Sequence, residues 1–226
     1  MRKIILLFIA FSLASASFAQ HKADSLAMLK PAKPSPPIGV EFFAGNNDLA
    51  FQMMVSKHFS PKSRFGFFNV TQFVGDYATT NQKNSFISQS FLTADIWKGF
   101  SINTGVTMNY MTGFRPSAGL QYVFANRKFT AVLLPRFDLT QTYNFETFGL
   151  VEYKPKFKNN WGLYSRVQGL YNHNTKLDTH NRSYIWLRVG ASYKNYQFGL
   201  GSNFDYYGPL KINENSMGVF VRAELF

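Results

Sequence analysis

The chain has 226 residues, a formal net charge of +12, no cysteine, and 18% aromatic residues. The missing cysteine excludes a disulfide-stapled scaffold and a lipid-anchored amino terminus. No run after the leader is long and apolar enough for a spanning helix, and no nucleic-acid-binding motif accompanies the basic excess.

Residues 1–19 read as a secretory signal. Met1-Arg2-Lys3 is a basic start, Ile4 to Phe11 is apolar, and Ser17-Phe18-Ala19 places small residues before a cleavage at Gln20. A membrane anchor is the other reading, but the apolar run is short and interrupted by serine. Residues 20–37 hold Lys22, Lys30 and Lys33 together with Pro31, Pro34, Pro36 and Pro37. They predict a short helical piece at 24–29 and then a stiff periplasmic arm. A plug in a lumen is the alternative for this arm.

From Ile38 to Phe226 the dominant signal is alternation. Between Ser183 and Tyr193 one face carries Ile185, Leu187, Val189 and Ala191, and the other carries Tyr184, Trp186, Arg188 and Ser192. After Lys194-Asn195 the pattern resumes with Tyr196, Phe198, Leu200, Phe204 and Tyr206 on one face. Side chains alternate faces along a strand, so this is an amphipathic hairpin. The same unit recurs. Strands are predicted near 38–44, 49–59, 65–76, 85–97, 100–112, 114–125, 128–139, 144–156, 161–172, 182–193, 196–207 and 215–226. Twelve is the preferred count and ten the alternative.

The links also alternate. Those at 61–63, 98–99, 125–128, 156–160 and 194–195 are short and mostly basic. Those at 78–84, 139–144, 173–181 and 208–215 are longer and polar, while 46–48 and 112–113 are tight. The turn before Phe100 needs an extra residue to keep Asp95 in phase, which predicts a three-residue loop, Trp97-Lys98-Gly99, with Gly99 left-handed. Aromatics bracket the short turns: Phe59 and Phe65, Trp97 and Phe100, Phe124 and Phe129, Phe157 and Trp161, Tyr193 and Tyr196. A second set, including Tyr77, Phe86, Tyr110, Phe114, Tyr143, Phe145, Tyr171, Tyr184, Tyr206 and Tyr207, flanks the other ends. Two aromatic girdles and short turns opposite longer loops are features of membrane barrels.

Leader, amphipathic hairpins, girdles and the terminal Phe226 together resemble the bacterial outer-membrane β-barrel proteins. The resemblance spans 38–226 and is architectural. The chain departs from it at Glu224, where such proteins often carry an aromatic residue. The fold expected is all-β: a transmembrane, antiparallel, up-and-down barrel of twelve strands, exported to the bacterial outer membrane, with both termini periplasmic. Outer-membrane lipids are the expected surroundings. A soluble lipocalin-like barrel is the competing fold, with eight strands and an apolar inside.

A charge facing lipid near the membrane centre costs about 2–4 kcal/mol, so charges mark the inward face. The inward set is Glu41, Asp95, Arg115, Arg136, Asp138, Glu146, Glu152, Arg166, Arg188, Asp205, Arg222 and Glu224. Strand 65–76 stays ambiguous because both faces carry Phe or Val. Counting from the turns places Arg115 opposite Asp138, Glu152 near Arg166, Arg166 beside Arg188, and Arg222 against Glu41 at the closing seam. Tyr164, Tyr184 and Trp186 lie near the two central arginines, a grouping suited to a carboxylated or sugar-like solute or to a bracing salt-bridge network. Basic residues at the turn end, among them Lys62, Lys98, Lys128 and Lys194, face anionic head groups.

Three functions follow from this layout. The first is a passive channel for small polar solutes, similar in architecture to small twelve-stranded sugar-acid and nucleoside channels. The second is a filled barrel with a structural or surface-binding role. The third is a lipid-modifying hydrolase, for which His58 with Ser56 lacks a third member. His173 and His180 with Asp178 have no metal-ligand spacing. No cofactor, metal or catalytic group is assigned, nucleic acid is not expected as a partner, and the oligomeric state is left open.

Overall fold

The computed structural model describes residues 36–77, 84–110 and 112–226. The expected signal at 1–19 and all but the last two residues of the expected arm lie outside them. Twelve strands follow in order: β1 (Ile38–Gly45), β2 (Asp48–His58), β3 (Phe65–Asp76), β4 (Ser85–Trp97), β5 (Phe100–Asn109), β6 (Gly113–Ala125), β7 (Phe129–Asp138), β8 (Asn144–Tyr153), β9 (Trp161–Asn174), β10 (Thr179–Tyr193), β11 (Tyr196–Tyr207) and β12 (Ile212–Leu225). Each pairs antiparallel with its sequence neighbours, and β1 closes on β12. The predicted count, order and most boundaries agree with this.

Side-chain phase follows the alternation. Val189 is 66% exposed and Leu200 70%, whereas Arg188 is 1% and Arg166 4%. Apolar side chains therefore look outward and charges look toward the axis. Of the charged residues in the described strands, Lys57 alone takes the outward phase, one residue from the turn end. A water-soluble protein does not carry a continuous exposed belt of Leu, Ile, Val and Phe around its whole girth. A hydrocarbon surrounding accounts for that belt. The barrel also leaves no open sheet edge to be satisfied in it.

The turn-end girdle is as predicted, with Phe59, Phe65, Trp97, Phe100, Phe157, Trp161 and Tyr196 all exposed. Rings there meet one another: Trp97 with Phe100 at 6.2 Å and Trp161 with Tyr193 at 4.8 Å. At the loop end, Tyr77, Tyr110, Phe114, Tyr143 and Tyr171 are exposed. Tyr184 and Tyr207 do not belong to that girdle. Tyr184 shares the inward phase of Trp186 and is buried, and the Tyr207 hydroxyl donates to Asp205 Oδ1 at 3.3 Å.

Four local expectations need correction. The loop expected at 173–181 is shorter, because β9 and β10 continue pairing to Asn174 and Thr179. The loop expected at 208–215 shrinks likewise, since β12 begins at Ile212. Before Phe100 the extra residue sits in the strand rather than the turn. Trp97 pairs with Phe100 across Lys98-Gly99, and a bulge at Ile96 lets Asp95 pair with Ser101. Gly99 does adopt the left-handed region, with φ 91°, and Lys98 joins it at φ 37°. Finally, Asp138 lies opposite Ser117, so Arg115 meets it on the diagonal.

The interior is less polar than the charge pattern implied. β3 resolves with Phe68, Val70, Gln72 and Val74 inward. Phe68, Val70 and Phe91 then meet Val132, Leu134, Phe148 and Leu150 from the facing wall in one buried cluster. A second cluster joins Phe43, Ala50 and Val74 to Tyr164, Leu170, Tyr184, Trp186 and Phe220. Residues of strands that are not neighbours touch only where the barrel is narrow.

Candidate functional site

Glu41 is the hub of the lumen. It sits mid-strand on β1, in register with Arg222 on β12, as the seam argument predicted. Its ion pairs, however, run elsewhere. One oxygen, Oε1, accepts from Arg166 Nη2 at 2.7 Å and from Arg188 Nε at 2.9 Å. Arg166 and Arg188 are direct cross-strand partners on β9 and β10. Two guanidinium groups placed side by side repel, and the carboxylate between them offsets that repulsion.

Arg188 is boxed by aromatic faces. Its guanidinium lies 4.4 Å from the Phe43 ring centre, 5.7 Å from Trp186 and 5.9 Å from Phe220. Nη1 also donates to Asn203 Oδ1 at 2.8 Å and to the Leu187 carbonyl at 2.9 Å. The side chain reaches this position over Gly201. A Cβ there would meet Arg188 Cδ and the Phe43 ring, each at 2.9 Å.

Arg222 turns toward the other carboxylates. Nη1 lies 2.9 Å from Glu224 Oε1 and 3.4 Å from Glu152 Oε2. Tyr164 donates to the same Glu152 oxygen at 3.0 Å, and Lys154 pairs with Glu224 and lies 3.6 Å from Glu152. Glu152 is in register with Arg166, as expected, but their charges are directed to different partners. This cluster holds Arg166, Arg188, Arg222 and Lys154 against Glu41, Glu152 and Glu224, a formal excess of one positive charge.

A separate cluster forms on β6, β7 and β8. Arg136 pairs with Asp138 and, at 2.6 Å, with Glu146. Arg115 reaches Asp138 at 3.3 Å, and Gln89 and Asn172 donate to Glu146 at 2.5 and 2.6 Å. Two arginines meet two carboxylates, so this cluster is neutral. Toward the loop end, Asp205 accepts from Arg182 at 2.7 Å and from the Trp186 indole at 2.9 Å. Trp186 lies beside Arg188, as predicted, and its polar edge is tied to Asp205. Sequence reasoning passed over Arg182, whose inward phase was legible in the 182–193 alternation, and Lys154, which lies just past β8 where alternation gives no phase.

Polar side chains span the lumen. Gln52 donates to Gln168 Oε1 at 2.9 Å, and Gln72 and Gln168 donate to the Tyr184 hydroxyl at 2.9 and 3.0 Å. Several buried polar atoms have no hydrogen-bond partner within the protein: Glu41 Oε2, Arg166 Nε, Arg188 Nη2, Gln52 Oε1, Gln72 Oε1 and both side-chain atoms of Asn103.

Two smaller groups bear on chemistry. His58 Nε2 lies 3.1 Å from Asp95 Oδ2, which supplies the partner that the sequence did not reveal. Ser101 donates to the other oxygen of Asp95 at 3.0 Å, so the serine is bonded to the carboxylate and not to the imidazole. A nucleophile–base–orienter chain needs the imidazole between the serine and the carboxylate. At the loop end, His173 and His180 are paired strand residues rather than loop residues. His180 is engaged by both nitrogens, with the Gly208 carbonyl at 2.7 Å and the Ser183 hydroxyl at 3.0 Å, while His173 meets Asp178 at 3.1 Å. Among the described residues no group of three or more His, Asp or Glu is placed to hold a metal ion.

No family model and no curated protein sequence matches the chain. Solved structures resemble it in form. The NanC porin is similar over 84% of this chain and 100% of its own, at 12% identity and a TM-score of 0.46. The KdgM porin is similar over 84% and 99%, at 14% identity and a TM-score of 0.43, and has also been solved in complex with disordered oligogalacturonate. OpdL of Pseudomonas aeruginosa is similar over 76% of this chain and 65% of its own, at 8% identity and a TM-score of 0.39. With closed pairing, an apolar outer belt, aromatic girdles and a charged axis, the chain is an integral, twelve-stranded β-barrel of the bacterial outer membrane.

Proposed function

We propose that the barrel is a narrow passive channel for small polar solutes, constricted at Glu41, Arg166 and Arg188. Tyr164, Tyr184 and Trp186 form its aromatic wall, Glu152, Asp205 and Arg222 flank it, and Arg115, Arg136 and Asp138 belong to the second cluster. The observation that carries this reading is the set of buried polar atoms on inward-phase side chains that find no partner within the protein, including Glu41 Oε2, Arg166 Nε and Arg188 Nη2. A packed structural core satisfies its polar groups internally, because each one left unmet costs about 1–3 kcal/mol. A lining that leaves them unmet by the protein is suited to water and to a passing polar solute. The excess positive charge around Arg188 favours anions at that level. In the described conformation Gln52, Gln72, Gln168 and Tyr184 bridge the walls, so passage requires these side chains to part.

A second reading, a filled barrel without transport, draws on the same bridges and on the two apolar clusters inside. Planar-bilayer recording separates the two. Steady single-channel openings, reduced by a small sugar acid and shifted in ion selectivity by Arg188→Ala, support the channel. A silent wild-type barrel that is folded by heat-modifiable mobility overturns it in favour of the filled form. We assign no catalytic role, given the Ser101–Asp95–His58 order. Lipase activity lost on His58→Ala would reverse that assignment.

A further inference from the structure

The turn end of the lumen holds an arrangement that sheet register does not account for. Glu152 is the penultimate residue of β8, and Lys154 follows its last residue. Glu224 is the penultimate residue of β12, and Arg222 stands two positions before it. Charge therefore alternates along both ends: minus then plus on leaving β8, plus then minus on leaving β12. Three strands, β9, β10 and β11, separate these two ends in the ring. The four side chains nevertheless meet. Lys154 pairs with Glu224 and lies 3.6 Å from Glu152 Oε1. Arg222 Nη1 lies 2.9 Å from Glu224 Oε1 and 3.4 Å from Glu152 Oε2. Each group touches both groups of opposite sign, so the four close into a neutral ring. That ring runs as a chord between strands that are not neighbours. On the way it meets Tyr164 of β9, whose hydroxyl donates to Glu152, and Gln197 of β11, which accepts from Arg222 at 3.1 Å.

The four members are not equivalent. The Lys154 side chain is 15% exposed, against 5–6% for the other three, so it stands where the interior gives way to water. A lysine is a compact, strongly hydrated charge on a flexible stem, without the fixed fork of an arginine. Its departure also strands no buried charge, because Arg222 still holds both carboxylates. Departure of Arg222 would leave two carboxylates to one lysine.

We propose that Lys154 is the moving element of a turn-end gate. The four-charge ring closes the lumen between β8 and β12, and withdrawal of Lys154 into water opens it. This gate rests on the channel reading above and adds a second closure to the clasp at Glu41. The ring is neutral, so it restricts passage, while choice of ion sign stays with Arg166 and Arg188.

The chain has no cysteine, so Ser192→Cys supplies a single thiol. Ser192 lies on β10, within the wall that the ring spans; it pairs with Gln197 and is 1% exposed. The folded barrel, in detergent micelles, is treated with a neutral, polar methanethiosulfonate, and labelling is timed by mass spectrometry. Heat-modifiable mobility confirms that each variant is folded. With the ring intact, labelling should be slow. Lys154→Glu sets like charges against Glu152 and Glu224 and should speed it about tenfold, within the coupling range of charges in contact. Adding Glu224→Lys puts two carboxylates on the β8 side against two cations on the β12 side, and the slow rate should return. Lys98→Glu, the same charge change on the β4–β5 turn, should leave the rate slow. If Lys154→Glu does not fold, Lys154→Met takes its place, with a smaller acceleration expected. Labelling that is indifferent to Lys154, or that stays fast after the swap, would overturn the gate. Labelling needs no current, so the two readings fail separately. A barrel silent in bilayers whose labelling follows the charges refutes conduction and leaves the closure standing. Steady currents with labelling indifferent to Lys154 refute the gate alone.

Discussion

The two ionic clusters of the lumen use the same residue types to different ends. Around Arg136 the charges balance, and the cluster ties neighbouring strands: Arg136 and Asp138 are two residues apart on β7, and Glu146 lies across on β8. Around Glu41 the charges do not balance, and the bonds run between distant parts of the chain. Glu41 meets Arg166 across 125 sequence positions and Arg188 across 147. The first cluster is a brace within a wall. The second is a clasp between the seam and β9–β10, and it leaves Glu41 Oε2 and Arg188 Nη2 without a partner within the protein. Ion pairs closed between neighbouring strands stabilise the wall; ion pairs that reach across strands are where passage can be controlled.

Removing the central carboxylate should break this contrast most strongly. Glu41→Gln leaves Arg166 and Arg188 adjacent and without a countercharge, a change that typically costs about 3–5 kcal/mol in a buried setting. Asp138→Asn should cost less, because Arg136 keeps Glu146. Urea titration of the barrel in lipid vesicles, followed by gel mobility, reads both, and equal midpoints would show that the clusters do not differ as described. The next effect is functional. Arg188→Ala removes the side chain that fills the space between Phe43, Trp186 and Phe220, so conductance should rise several-fold and anion preference should fall. Arg136→Ala should leave the selectivity nearly unchanged. A smaller effect is expected at Gly201, where a side chain would collide with Arg188 and Phe43. Gly201→Val should destabilise by about 1–3 kcal/mol, the usual range for overpacking, and displace Arg188. Smallest are the turn-end cations. Lys98→Ala and Lys194→Ala remove only contacts over Trp97 and Tyr193, at 5.2 and 5.4 Å, and should shift stability by no more than about 0.5 kcal/mol. Salt should screen those rim charges while leaving the buried clusters nearly unaffected.

The same contrast separates what was legible in the sequence from what was not. The brace could be anticipated: Arg136, Asp138 and Arg115 lie on strands joined by a tight turn, and counting from it brought them within one diagonal step. The clasp could not. Register counting placed Arg222 opposite Glu41 and Arg166 opposite Arg188, and both pairings hold along the sheet. It offered no means of seeing that Arg166 and Arg188 would reach Glu41 while Arg222 turned to Glu152 and Glu224. His58 was missed as a partner of Asp95 for a related reason. The two are on β2 and β4, and the residue between them on β3 is Gly66, which has no side chain to keep them apart.

Alternation and turn spacing together pointed to twelve strands in meander order and to the inward phase of the charges named from them. A period of two fixes the face of every residue, and hydrocarbon on one side makes the opposite phase prohibitive for a carboxylate or guanidinium. The tertiary structure decided the content of the lumen: which ions pair across it, and why Phe68, Phe91 and Phe148 are inside with them. Those outcomes depend on how closely the facing walls approach after closure. That distance is a property of the whole ring of strands, and no single strand's pattern carries it.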